Sequence, residues 1–75
     1  MKLGRYLHYK GKEYEVIGVA RNSETFEELV IYRGLFESPE YGLTALWVRP
    51  KSMFLEDVGV DGKKVPRFKL VEVLD

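Results

Sequence analysis

The stretch Glu13 to Gly34, EYEVIGVARNSETFEELVIYRG, decides the predicted fold because its apolar pattern repeats every second residue. Apolar and acidic residues alternate from Glu13 to Val16, as they do in a β-strand with one face in water. The alternation slips at Ile17-Gly18-Val19, and a glycine inside a strand pattern commonly marks a bulge. Branched and aromatic residues from Leu29 to Arg33 predict the next strand. The stretch therefore predicts two strands of a small curled sheet.

The polar segment Asn22 to Thr25 lies between these two strands. Asn, Ser and Thr favour turns because their side chains hydrogen-bond to nearby backbone groups. We therefore interpret the segment as a hairpin loop, which explains its composition but names no ligand. Thr25-Phe26-Glu27-Glu28 also fits a capping box, but the strand-forming residues that follow allow one helical turn at most.

More strands and turns lie on both sides of this hairpin. A short strand from Arg5 to Tyr9 precedes Lys10-Gly11-Lys12, which is typical of a tight hairpin turn. The run from Leu46 to Arg49 predicts another strand, with either Leu46 and Val48 or Trp47 and Arg49 facing the core.

A second hairpin is predicted towards the C-terminus. Asp61-Gly62, a strong hairpin signal, separates Val58-Gly59-Val60 from the run Lys64 to Phe68. Pro66 cannot donate a hydrogen bond to a neighbouring strand, so we expect its strand to lie at an edge or to be interrupted there.

The segment Pro50 to Glu56 predicts a short helix or 3₁₀ turn, with Met53, Phe54 and Leu55 closing one end of a core. Apart from that turn, five or six short strands with turns at about eight- to twelve-residue spacing predict an all-β fold. The alternatives are a small curled antiparallel sheet and an SH3-like barrel, in which closure would remove exposed edges. A chain of 75 residues allows one small domain, which we place at residues 1–75.

Composition excludes several classes of function. The chain has no cysteine, which excludes disulfides, thiolate catalysis and zinc sites built on sulfur. Small secreted domains usually need covalent cross-links, so their absence favours a cytoplasmic location. Met1 to Arg5 leads into no apolar signal sequence, and no apolar run is long enough to span a bilayer. We therefore expect no membrane partner.

Charge is balanced overall but unevenly distributed, with twelve basic and twelve acidic residues. Acidic residues concentrate in the middle and basic residues in two blocks near the ends. Scattered solvated charge is the simplest explanation. If the two ends of the chain pair in space, the basic blocks would instead suit binding of RNA or single-stranded DNA. The blocks comprise Lys2, Arg5, Lys10 and Lys12, and then Lys63, Lys64, Arg67 and Lys69.

No motif in the sequence supports catalysis. His8 is the one histidine, and no nearby residue pattern supplies a nucleophile and an orienting carboxylate. We expect a half-buried or surface histidine with a structural role, and a small hydrolase using His8 is the weaker alternative. The paired acids lie outside any oxygen-rich calcium loop, and the glycines are dispersed, so we expect no metal, phosphate loop or cofactor.

Aromatic residues alternate with arginines along the predicted strands, as in Tyr32-Arg33 and Trp47-Val48-Arg49. Small barrels that bind single-stranded nucleic acids combine aromatic platforms with basic grooves, and those that bind proline-rich peptides use aromatic-lined grooves. A small core also needs large aromatics, so either role accounts for most of the tyrosines. Trp47 beside Arg49 favours recognition, because an indole N–H requires a partner or water.

The run GRYLHYKGKEYEVIGVARNSET, followed by ELVIYRGLF, LWVRPKSMFLEDV and DGKKVPRF, resembles the domain-of-unknown-function family 1653. The resemblance extends from about Gly4 to Phe68 and implies a small bacterial cytoplasmic protein or module without an established activity. It also implies that Ala20 to Thr25 and Trp47 to Pro50 are signature pieces, and a signature at a loop indicates recognition. The stretch Glu37 to Ala45 resembles a part of variable length, so we expect no site residue there.

We therefore expect a binding module, not an enzyme, with an unidentified ligand or a protein or peptide partner. Nucleic acid is the alternative partner, and we expect a monomer or a weak dimer. Arg21 and Arg49 offer fork-shaped donors to a carboxylate or phosphate, and Tyr32 and Trp47 offer stacking faces. The predicted binding surface comprises His8, Arg21, Ser23, Glu24, Thr25, Tyr32, Trp47 and Arg49.

Overall fold

The alternating stretch of the sequence forms the central strand of an antiparallel sheet. In the computed structural model, which describes residues 1–43 and 45–74, five strands pair in the order β4-β3-β2-β1-β7, and β5 and β6 form a separate hairpin. The elements are β1 (Gly4–His8), β2 (Glu13–Arg21), β3 (Glu28–Gly34), β4 (Leu46–Pro50), α1 (Lys51–Phe54), β5 (Asp57–Val60), β6 (Lys63–Pro66) and β7 (Phe68–Val73).

The predicted bulge in β2 is present. Val16 pairs with Tyr32 and Gly18 pairs with Ile31, so Ile17 has no partner on β3 and the register shifts by one residue. An extra residue in one strand bends the strand and increases its twist. The bulge therefore lets the long strand β2 curl around the core.

The core lies on one face of the sheet and is mostly aromatic. Phe54 from α1 is fully buried and stacks flat on Phe68, with ring centroids 4.0 Å apart. It also meets the edges of Tyr6 at 5.5 Å and Tyr32 at 5.4 Å. Such aromatic contacts add to the stabilisation from buried area alone. The buried hydrophobic residues are Tyr6, Val16, Val30, Tyr32, Phe54 and Phe68.

The helix closes the core with one side chain, not the predicted three. Phe54 is 0% exposed, whereas Met53 is 46% and Leu55 is 51% exposed. A helix of four residues turns only slightly more than once, so it can direct one side chain into the core and sends its neighbours elsewhere.

Strand β7 pairs with β1, so the N-terminal strand lies inside the sheet. Gly4 has a φ of +149°, and a Cβ built there would lie 2.1 Å from the carbonyl oxygen of Glu72. Only glycine allows the two backbones to approach this closely. Pro66 ends β6, where it pairs with Asp57 in the two-stranded hairpin. Its predicted edge position is confirmed.

The predicted all-β fold with one short helical turn is confirmed, and the curled sheet is the correct alternative. The sheet itself has five strands, and the separate hairpin brings the number in the described residues to seven. The predicted run Lys64 to Phe68 is broken at Arg67, and β7 begins at Phe68. Strands β4 and β7 end the sheet on opposite sides and do not pair with each other, so the sheet is not closed into a barrel within the described residues.

Across residues 1–43 and 45–74, no helix is long and apolar enough to cross a membrane.

The outer face of the sheet, opposite the core, carries a row of ion pairs. Arg33 donates from Nε to Glu15 at 2.8 Å. Arg5 pairs with Glu13 and lies 3.8 Å from Glu72. These side chains are partly exposed, so solvent screening keeps the contribution of each pair to stability small. The row marks this face as the solvent side.

Candidate functional site

Strand register settles which side of β4 faces the core. Tyr32 pairs with Trp47, and Val30 pairs with Arg49, and directly opposed residues in an antiparallel pair point to the same face. Val30 and Tyr32 are buried in the core. Trp47 and Arg49 therefore lie on the core face, and Leu46 and Val48 point outward.

Two other predicted residues share this face. His8 pairs with Phe68 across β1 and β7, and the two rings lie 4.9 Å apart. Arg21 pairs with Glu28, which lies two residues before Val30 on the same strand. Five of the eight predicted residues are thus on one face of the sheet, though not all at one end: His8, Arg21, Tyr32, Trp47 and Arg49.

An aromatic pocket opens where β3 and β4 meet the loop that joins them. It has a volume of about 250 Å³. Gly34 is one of its lining residues, and a Cβ there would lie 2.7 Å from the ring of Phe36, so that ring would have to move. Tyr41 stands edge-on to Trp47, with ring centroids 5.3 Å apart. The pocket is lined by Tyr14, Tyr32, Gly34, Phe36, Ser38, Gly42, Ala45 and Trp47.

The loop from Glu37 to Ala45, where we expected no site residue, supplies three of these lining residues. Ser38 accepts hydrogen bonds at Oγ from the backbone N–H groups of Glu40 and Tyr41, each at 3.3 Å. Ser38 and Gly42 also exchange backbone hydrogen bonds of 3.2 and 2.9 Å. Ser38 to Gly42 thus form a tight turn beside the pocket, and the absence of a site residue from this loop stays a prediction.

Tyr14 and Tyr32 both line the pocket. Within residues 1–43 and 45–74, neither Tyr14 nor Tyr32 makes a side-chain hydrogen bond, whereas the hydroxyl of Tyr6 donates to the carbonyl of Lys2 at 2.6 Å. Burial raises the pKa of Tyr14, as does neighbouring Tyr32, while Arg49 opposes the rise. The Tyr14 phenol is therefore a protonated donor at neutral pH.

Two arginines form a cationic rim beside the pocket. The guanidinium of Arg49 lies 6.0 Å from the ring centroid of Phe68. No carboxylate oxygen in the described part of the chain lies within 4 Å of it. Arg67 has a buried Nε without a hydrogen-bond partner, and its Nη2 lies 3.8 Å from Glu56. Arg49 and Arg67 thus present positive charge that the described residues scarcely neutralise.

His8 is half-buried beside this rim. Its Nδ1 accepts a hydrogen bond from the backbone N–H of Lys10 at 3.1 Å, which assigns the proton of the neutral ring to Nε2. Burial lowers the pKa of His8, and the positive charges of Lys10, Arg49 and Arg67 lower it further. The ring is therefore neutral at pH 7, and the positive charges of the rim favour this neutral form.

The loop from Asn22 to Thr25 is held by its own side chains. Asn22 accepts at Oδ1 from the backbone N–H groups of Glu24 at 2.9 Å and Thr25 at 3.3 Å. Thr25 accepts at Oγ1 from the N–H of Glu27 at 3.2 Å. Arg21 donates to the carbonyl of Phe26 at 2.8 Å. Its guanidinium, which we expected to bind a carboxylate or phosphate, is therefore engaged within the hairpin. These bonds are those of a turn.

The same loop lies far from the pocket. It precedes Glu28, and Glu28 is four residues, or about 13 Å of extended chain, from Tyr32. Ser23, Glu24 and Thr25 are therefore not brought together with Tyr32 and Trp47. A separate depression of about 390 Å³ near the loop is lined by Glu27, Glu28, Lys51, Ser52 and Leu55.

No group of three or more potential metal ligands occurs among the residues that the structure describes.

Sequence reasoning missed four residues of the site: Tyr14, Phe36, Arg67 and Phe68. Tyr14 could have been found, because it lies two residues before Val16 and pairs with Gly34, so it must share the face of Tyr32. No sequence pattern placed Arg67, because its position depends on the break between β6 and β7.

Comparison with known proteins gives one family. A family model described as a protein of unknown function (DUF1653) matches residues 4–70. The chain is also similar to a crystal structure of a DUF1653 protein from Bordetella bronchiseptica, with 31% identity and a TM-score of 0.85. That similarity covers 100% of this chain and 92% of the other. No curated protein matches.

Proposed function

This chain belongs to the DUF1653 family, whose function is not established, and from that premise we propose that it is a small binding module without catalytic activity. Its recognition site is the aromatic pocket together with the cationic rim of Arg49 and Arg67. The absence of cysteine supports a cytoplasmic location. The bacterial source of the similar crystal structure supports a bacterial origin.

One observation carries the proposal: Arg49 lies on the core face beside unpaired phenol groups without an acidic partner within 4 Å among the described residues. A buried or half-buried arginine is normally paired, because desolvation of an unpaired charge is costly. A ligand carboxylate would supply that partner and accept two parallel N–H bonds from the guanidinium.

The pocket sets the size and shape of the rest of the ligand. A volume of about 250 Å³ is at the small end of ligand sites, suited to one ring or one side chain. Aromatic walls favour an aromatic or flat apolar group, which can meet Tyr14, Tyr32 and Trp47 face-on or edge-on. The ligand class is therefore an apolar ring carrying an anionic group.

The arrangement around His8 supports binding over catalysis. A general base must lie within hydrogen-bond reach of the proton that it removes, and a nucleophile must lie beside it. His8 uses Nδ1 to hold the turn at Lys10, and its described neighbours are the rings of Tyr9, Tyr14 and Phe68. We propose a structural role for His8 at the edge of the site.

The fluorescence of Trp47, the single tryptophan, tests the proposal directly. We expect phenylacetate to change the fluorescence in a saturable manner and its neutral analogue phenylacetamide to bind more weakly. Arg49→Gln should weaken phenylacetate binding about tenfold and leave phenylacetamide unaffected, since a charged hydrogen bond contributes about 1.5–3 kcal/mol.

Arg33→Gln is the matched control, because Arg33 lies on the neighbouring strand but points to the outer face. It should leave binding of both probes unchanged. Equal affinity for acid and amide, or equal losses in the two variants, would remove Arg49 from the site.

Nucleic-acid binding is the second candidate, and the pairing of β1 with β7 favours it. That pairing brings Lys69 of the second basic block beside β1, opposite Leu7. A shallow cavity of about 350 Å³ lies between them and includes His8, Tyr9 and Lys69. However, Arg5 is already paired with Glu13 and Glu72, which reduces the free charge.

Fluorescence anisotropy with labelled oligouridylate and oligothymidylate tests this candidate. If phosphate contacts dominate, the affinity should fall as salt rises. For single strands, a plot of log K against log salt should have a slope of about −0.7 for each phosphate contact. Lys69→Gln should remove about one phosphate contact and so make that slope less steep by about 0.7. An absence of binding at low salt would exclude the candidate.

A further inference from the structure

Strand β4 is an open edge of the sheet. It pairs with β3 on one side only. Within residues 1–43 and 45–74, the backbone of Leu46–Pro50 makes no hydrogen bond to any loop or turn. Unpaired N–H and C=O groups along an edge form a template for another extended chain.

This edge has little of the protection that normally prevents such pairing, because its charged residue and its proline, Arg49 and Pro50, both lie at its C-terminal end. Proteins protect edges with charged residues, prolines, bulges or a covering element. Here Leu46 and Val48 are 58% and 63% exposed, and the pairing with β3 is regular along the whole strand. Pro50 blocks only the last position. A partner strand can therefore reach Leu46 to Arg49.

The side chains of β4 specify what such a strand must carry. Trp47 lines the aromatic pocket and Arg49 belongs to the cationic rim, and both point to the core face two residues apart. Residues directly opposite each other in an added strand would have Cβ atoms about 4.5–5.5 Å away. The residue opposite Trp47 would thus lie at the pocket and the residue opposite Arg49 at the guanidinium.

We propose that β4 binds an extended peptide segment of a partner protein, with an aromatic or large apolar residue at the pocket and an aspartate or glutamate two residues away on Arg49. This inference rests on the proposed function, because it assigns the apolar ring and the anionic group of the proposed ligand to two side chains of one peptide. In an antiparallel arrangement the acid comes first, and the residue between them lies beside exposed Val48 and is apolar. Strand addition of this kind takes affinity from the backbone and specificity from alternate side chains.

A second copy of the chain fits this edge less well. Pairing of β4 with itself would bring Leu46-Trp47-Val48-Arg49-Pro50 against the same sequence, which contains no acid. Arg49 would then stay without a carboxylate partner. Charge complementarity therefore favours a different, acidic segment.

Peptides built on this register test the inference. The antiparallel probe is acetyl-Thr-Thr-Glu-Val-Phe-Thr-Thr-amide, and its Glu-to-Gln and Phe-to-Ala analogues remove one anchor each. Trp47 fluorescence gives the affinity, and amide hydrogen exchange at Leu46 to Arg49 reports backbone pairing. We expect each analogue to bind about tenfold more weakly, and Arg49→Gln to abolish the preference for Glu over Gln.

N-methylation separates strand addition from any other binding mode. Alternate N–H groups of an added antiparallel strand point towards β4. One peptide is methylated at the backbone nitrogen of Val, and another at the backbone nitrogens of both Glu and Phe. One of these modifications should prevent binding and the other should be tolerated, because only one of the two sets of N–H groups faces β4. A reversed peptide with Phe-Val-Glu at its centre tests the parallel arrangement by the same pair of modifications.

The outcomes distinguish the two proposals. Phenylacetate binding without tighter peptide binding, or equal tolerance of both methylation patterns, would overturn the peptide inference and leave the proposed function in place. Failure of phenylacetate and the peptides together would overturn both. A concentration-dependent dimer in sedimentation, with exchange protection at Leu46 to Arg49, would replace the partner segment by a second copy.

Discussion

At the scale of single residues, Gly4 has the tightest requirement. Its positive φ and its contact with Glu72 leave no space for a side chain. Gly4→Ala should therefore separate β1 from β7 or strain both, and reduce the free energy of unfolding in urea by about 2 kcal/mol or more. Gly59→Ala is the matched control, because nothing lies within 4 Å of a Cβ there and its φ is not positive. Equal stability of the two variants would contradict the close approach.

His8 should make stability depend on pH. Its pKa is lowered in the folded protein, so the unfolded chain binds the proton more tightly. The contribution of neutral His8 is therefore complete above its ordinary pKa of about 6.5 and is lost as pH falls through the lower folded value. The free energy of unfolding should decrease between pH 7 and pH 5.5.

His8→Gln, which stays uncharged throughout, should remove that part of the pH dependence. Chemical denaturation at several pH values measures both proteins. An unchanged pH profile in His8→Gln would assign the dependence to other groups.

The orientation of single residues was only partly predictable. The period of two placed Trp47 and Arg49 on one face and Leu46 and Val48 on the other, but it could not say which face is buried. That choice depends on the partner strand, where Val30 and Tyr32 pair with Arg49 and Trp47. Tyr32, Trp47 and Arg49, which the candidate surface grouped, lie on one face. That surface left out Tyr14, although Tyr14 lies two residues before Val16 on the same strand.

At the scale of elements, the loop Asn22 to Thr25 is a turn held by local hydrogen bonds. Asn22→Ala removes an acceptor for two backbone N–H groups and should cost about 1 kcal/mol of stability. Ser23→Ala should be close to neutral, since no hydrogen bond involves its side chain in the described structure. Thermal unfolding measures both variants.

Both loop variants should bind phenylacetate like the original protein, because the loop is far from Trp47. Loss of binding in Ser23→Ala, without loss of stability, would instead make this loop part of a site.

The elements predicted best were those with local signals. The turn at Gly11 and the hairpin at Asp61-Gly62 carry residues that adopt positive φ, and both are present. Strand β7 was not separated from β6, because the break at Arg67 depends on two distant contacts: its N–H donates to Glu56 and its carbonyl accepts from Tyr9. The sequence around Arg67 does not indicate either partner.

At the scale of the whole molecule, one core connects four strands of the sheet, β1, β2, β3 and β7, to α1. Phe54 contacts Tyr6 from β1, Tyr32 from β3 and Phe68 from β7. We therefore expect the chain to unfold as one cooperative unit, as a single domain does. Trp47 fluorescence and far-ultraviolet circular dichroism should give coincident transitions in urea. Separate midpoints would show that part of the chain, such as the β5-β6 hairpin, unfolds independently.

Whether the sheet closes was not predictable from alternation. A curled sheet and a barrel use the same period of two, and the difference is whether the strands at the two ends meet. Here α1 and the β5-β6 hairpin occupy the chain between β4 and β7, and Phe54 fills the space against the core face. The result is an open sheet whose β4 edge stays available.

The position of β1 between β2 and β7 also affects how the protein is made. During translation, β1 and β2 are synthesised before β7. The nascent chain therefore carries β1 with one bare edge, and Phe54 lacks the ring of Phe68 on which it will stack.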